Sequence, residues 1–123
     1  MFLVTYEGDI ECGKQTWRMN GQKHDKEPWV AQNRVFNTVD DALAAIAQDF
    51  PMEWDEREKR ERRVTPDPED DRIVIWELVV GETMKSVAHF SGWHWSWDEM
   101  GGAKELILPG DTKSLYAIAM EDM

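Results

Sequence analysis

Trp93, Trp95 and Trp97 recur at two-residue intervals within Phe90–Met100. That interval places side chains on one face of an extended strand. Each ring carries on the order of 150 to 250 Å² of surface. A wall of three such rings is either the centre of a core or a docking surface, and the chain must therefore build a sheet with a covered face.

The surrounding run, Ser86 to Trp97, reads as one strand with a phase problem. Ala88 and Phe90 fall on the even positions and the three tryptophans on the odd ones. A bulge at Ser91-Gly92 puts all five on one face and leaves His89, His94 and Ser96 on the other. Before it, Arg72–Val80 is apolar at seven of nine positions, with only Arg72 and Glu77 polar, as expected of a central strand covered on both sides. Gly81–Lys85 supplies the turn between these two strands. Further strands are expected at Phe2–Glu7, Gln15–Met19, Leu106–Leu108 and Leu115–Met120, and Trp29–Phe36 is weakly extended.

One helix is clearly specified. Val39, Ala42, Leu43, Ile46, Ala47 and Phe50 make a continuous apolar stripe, Thr38 is suited to cap its first amides, and Pro51 stops it. Asp40 and Asp41 favour the positive end of the helix dipole. Trp76 and two of the three hairpin tryptophans are expected to face this helix. The fold class predicted is α+β, with a single antiparallel β-sheet of five or six strands and one principal amphipathic helix packed on one face.

The 123 residues suit one domain. Residues 51–72 read as a charged excursion from it, mobile or ordered by a partner. Glu53–Arg63 alternates sign in a manner that suits a solvated helix with ion pairs one turn apart. Cys12 is the single cysteine, so no internal disulfide forms and a reducing, cytoplasmic setting is expected. The N-terminal sequence lacks a signal-peptide pattern, and no apolar run is long enough to span a bilayer.

Asp and Glu number 25 against 14 Lys and Arg, a formal net charge of −11. The excess is spread along the chain: −3 over residues 1–50, −3 over 51–72 and −5 over 73–123. Direct nucleic-acid binding is disfavoured, because the mean field repels phosphate. Attraction to the basic surface of a protein partner is the sharper implication, and solubility the blander one.

No nucleophile elbow, phosphate-binding loop or dinucleotide fingerprint occurs. His89 and His94, with Asp98, offer a weak metal-binding alternative; strand histidines more often make hydrogen bonds than ligate metals. The expected function is a non-enzymatic acidic protein-binding module without a cofactor, able to form oligomers. By form alone it resembles inhibitors of nucleic-acid-handling or defence machinery, including phage-encoded antagonists. Trp29 and Trp54 are the expected aromatic anchors, and Asp67, Glu69, Asp70 and Asp71 the expected steering charges. The alternatives are a nucleic-acid mimic, in which carboxylates replace phosphates, and a small metal-dependent enzyme using His89 and His94.

Overall fold

The computed structural model describes residues 1–12, 29–67, 69–91, 94–97 and 107–121. Strand β1 (Phe2–Glu7) ends where Gly8 takes φ +85° and a 3-10 turn, Gly8–Cys12, begins. Strand β2 is only Val35–Phe36 and leads through Thr38 into helix α1 (Val39–Asp49). The cap is as the sequence implies: Thr38 Oγ1 accepts from Asp41 N at 3.1 Å.

After α1 come β3 (Met52–Asp55) and β4 (Arg60–Arg63), then β5 (Arg72–Glu77), β6 (Lys85–Ser91), β7 (His94–Trp97) and a short helix α2 (Leu115–Met120). The strands divide between two sheets. β1, β5, β6 and β7 make the main one, extended at the β1 edge by β2, in the order β2-β1-β5-β6-β7. Among the described residues β3 and β4 pair only with each other, and every pairing is antiparallel. The α+β class with antiparallel sheets and a principal helix stands, whereas the single continuous sheet is corrected. β3 and β4 are joined by a four-residue turn, Glu56–Lys59, so each finds its partner locally before the main sheet is reached.

The core lies between the main sheet and α1. Val4, Tyr6, Ile73, Ile75, Ala88 and Phe90 form one buried cluster with Ala42, Leu43, Ala45, Ile46 and Phe50. Alternation along the strands explains this membership, because Val4 and Tyr6 stand opposite Ile75 and Ile73 across β1 and β5. Trp76 is on the reverse face instead of facing the helix. It stands opposite Leu3, and its indole N–H donates to Thr5 Oγ1 at 2.9 Å.

Ser86–Trp97 is two strands, not one. Phe90 stands opposite Trp95 and Ala88 opposite Trp97, with Ser91 opposite His94. A register shift does occur, but earlier: Ile75 pairs with Ala88 and Trp76 with Ser86, which leaves Val87 as the extra residue of β6. Trp93 and the Gly92 half of the expected bulge lie outside the described residues. So do the expected strand Gln15–Met19 and residue Leu106.

Glu53–Arg63 is a hairpin, not a helix, and Leu115–Met120 is a helix, not a strand. Ser114 explains the second reversal: buried, it caps α2 by accepting from Ala117 N at 3.1 Å. Among the described residues no helix is long and apolar enough to cross a membrane.

Candidate docking face on the second hairpin

The β3–β4 hairpin is built on buried charge. Arg62 and Asp55, both nearly inaccessible, meet at 2.9 Å. Asp55 Oδ1 also accepts from Arg57 N at 2.9 Å and Glu58 N at 3.1 Å, so one carboxylate fixes both the strand pair and its turn. The Arg62 guanidinium holds the Asp55 carboxyl below the usual carboxylate range, and the two turn amides add to this against the opposing effect of desolvation.

At its base the hairpin is tied to the helix. Arg63 Nη1 donates to Ala47 O at 3.2 Å and to Phe50 O at 2.8 Å, which satisfies carbonyls at the end of α1. Arg63 Nε lies 2.6 Å from Asp111 Oδ2. Val64 is buried against the main core, and Val64 N donates to Pro51 O at 2.9 Å.

The hairpin exposes the charged residues of its turn and the start of β4, and on β3 it exposes two large apolar side chains. Met52 and Trp54, two residues apart on β3, are 49% and 48% exposed. The Trp54 indole N–H donates to Glu56 Oε1 at 3.1 Å, which orients the ring while leaving half of it in water. Large side chains exposed beside each other on a fixed strand are the arrangement expected of an interface anchor.

The other residues singled out in the sequence have different placements. Trp29 is not a surface ring: it is 4% exposed, donates to Ile10 O at 2.8 Å, stacks on Phe50 at 5.5 Å between centroids and meets Tyr6 edge-on at 5.7 Å. The polar run 22–27 that precedes it in sequence conceals partners that come from the core. Asp71 is buried too, with Oδ1 accepting from Ile10 N at 3.2 Å and Oδ2 from Asp67 N at 3.0 Å. Asp67 in turn accepts from Glu69 N at 2.8 Å. Glu69 and Asp70 are exposed and Asp67 half-buried, so the accessible negative charge among these four residues belongs to those three.

His89 is half-buried on β6, opposite Ser96 of β7, and His94 is opposite Ser91. The two positions are one diagonal step apart across the strand pair. The His94 side chain and Asp98 lie outside the described residues. Among those described, no three His, Cys, Asp or Glu side chains are grouped to hold a metal.

Asp49 and Asp55, both buried, and Glu121 at the end of α2 have structural roles that the sequence does not reveal directly. Asp49, at 0% exposure, accepts from Tyr6 Oη, Val30 N and Ala31 N. Its position, seven residues after Ala42 and three after Ile46, lies on the apolar stripe of α1, and a carboxylate in such a stripe is a readable signal of an internal acceptor. Asp55 and Glu121 carry no such signal. Their partners are set by the hairpin register and by the placement of α2. A comparison of the chain with protein-family models, with curated proteins and with solved structures finds no match.

Proposed function

We propose that the chain is a non-enzymatic protein-binding module that docks through the exposed face of the β3–β4 hairpin. The observation that carries this reading is the half-exposed Trp54 beside Met52 on a hairpin anchored by the buried Arg62–Asp55 pair. The anchoring matters because a preformed apolar face loses little side-chain and backbone freedom on association.

The chain's net charge of −11 supports a basic protein surface as the partner in this reading. Asp67, Glu69 and Asp70 add local negative charge to the loop that follows β4. A basic surface of this kind is common on nucleic-acid-handling machinery, and occupation of it makes the chain an inhibitor. The Debye length near physiological salt is about 8 Å, so steering by the carboxylates is screened there and durable binding requires the apolar anchor.

The test is association kinetics with a partner captured by the native chain and then purified. Trp54→Ala should mainly speed dissociation. Asp67→Asn combined with Glu69→Gln and Asp70→Asn should mainly slow association, with the effect shrinking as salt rises. Native kinetics in both variants would overturn the assignment, as would a chemical activity lost in His94→Ala while partner capture persists.

A further inference from the structure

We infer that the cleft between β4, the Gly110–Lys113 loop and the end of α2 is a binding site for a small phosphate monoester, with Glu121 holding the anion position when the site is empty. The cleft encloses about 210 Å³. Arg60, Arg62, Arg63 and Lys113 line it against Glu61, Asp111 and Glu121, a gathering of four cations in a chain of net charge −11, with Arg62 also paired to Asp55 behind the lining.

Three of those cations converge on one side chain. Arg60 Nη2 and Arg62 Nη2 lie 3.1 and 3.4 Å from Glu121 Oε2, and Lys113 Nζ lies 2.5 Å from Oε1. Arg62 is fixed from behind by Asp55, so part of the cradle is rigid before any ligand arrives. Arg60 and Lys113 are more than half exposed and give the site an open approach. Lys113 first, and Arg60 after it, keep the Glu121 carboxyl below its ordinary range.

The geometry suits a phosphate better than a carboxylate. A carboxylate presents two oxygens and one charge, whereas the two guanidinium groups and the ammonium here match an anion with three terminal oxygens and about two charges at neutral pH. Thr112 adds a hydroxyl to the lining, and Met52 and Ile118 supply apolar walls for the organic part of an ester. The site shares Met52 with the docking face proposed above but is not lined by Trp54, so substitution of Trp54 tells the two apart.

The test is calorimetric titration of the full chain with phenyl phosphate and with inorganic phosphate, at constant ionic strength maintained with chloride. Phenyl phosphate should bind saturably and stoichiometrically, and more tightly than inorganic phosphate. Glu121→Gln removes the competing charge and should tighten binding by about tenfold or more. Arg60→Ala with Lys113→Ala should abolish binding, while Trp54→Ala should leave it unchanged, each variant first shown to melt as a folded protein. Absence of saturable binding in both the native and Glu121→Gln chains would overturn the inference. So would binding that survives in the double variant, or equal affinity for sulfate and phenyl phosphate.

Discussion

Tyr6 donates its phenolic hydrogen to Asp49 Oδ2 across 2.7 Å, joining the second-last residue of β1 to the last residue of α1 inside the core. The same carboxylate takes the amides of Val30 and Ala31 at 2.6 and 2.9 Å. A strand, a helix and an incoming loop thus share one acceptor. Asp49→Ala should cost about 3 kcal/mol or more, since three donors lose their partner and each buried unsatisfied group costs roughly 1 to 3 kcal/mol. Denaturant unfolding of the two chains measures this directly, and a loss below about 1 kcal/mol would show that water replaces the carboxylate.

The same pair predicts an alkaline limit to stability. Burial first, and the neighbouring Asp49 charge second, push the Tyr6 hydroxyl well above its ordinary value of 10.0. The folded state therefore holds the tyrosine proton more tightly than the unfolded state does. This contribution is complete below pH 10 and falls as pH rises above it. Unfolding free energies measured between pH 8 and about pH 11 should decline in the native chain and less steeply in Tyr6→Phe, by up to one proton's linkage.

Gly8 should tolerate no side chain. It adopts φ +85°, and a Cβ there would lie 2.1 Å from Asp70 O. Gly8→Ala must displace the backbone at Asp70 and disturb the neighbouring Asp71, whose carboxylate holds the amides of Ile10 and Asp67. A melting temperature lowered by several degrees is expected, together with shifted amide resonances at Asp67–Asp71. Native resonances in that loop would mean that the close approach relaxes at no cost.

Leu43→Ala should cost roughly 2 to 5 kcal/mol, because Leu43 belongs to the core cluster between α1 and the main sheet. Trp76, on the reverse face, gives a contrast. Trp76→Phe keeps a ring and removes the hydrogen bond to Thr5, for which a cost near 1 kcal/mol is expected. Equal costs for the two substitutions would place Trp76 nearer the centre of folding than its position on the sheet implies.

Local signals were legible wherever one element carried the whole pattern. Thr38, the apolar stripe and Pro51 fix α1 at Val39–Asp49, and alternation with a terminal glycine fixes β1 at Phe2–Glu7. Ser86–Trp97 is different because period-two alternation does not reveal a reversal: Phe90 and Trp95 are cross-strand partners, and their sequence separation is equally readable as a bulged strand. The six apolar residues Leu115–Met120 are too few for periodicity to separate helix from strand, and Ser114 is the signal that decides. Within Glu53–Arg63, composition suggests a solvated segment because burial of Arg62 and Asp55 depends on their meeting across a turn. Trp54 is flanked by Glu53, Asp55 and Glu56 and is exposed, whereas Trp29 follows a polar run but leads into Val30 and Ala31 and is buried.

Arg63 reaches from β4 to two carbonyls at the end of α1. Excision of the hairpin would leave that helix end bare, and grafting it elsewhere would leave an arginine without its carbonyl acceptors. The ribbon is thus not a portable insert. Met52 and Trp54 touch neither the helix cap nor the buried ion pair, so the docking face proposed there can change in sequence while the scaffold beneath it is inherited unchanged.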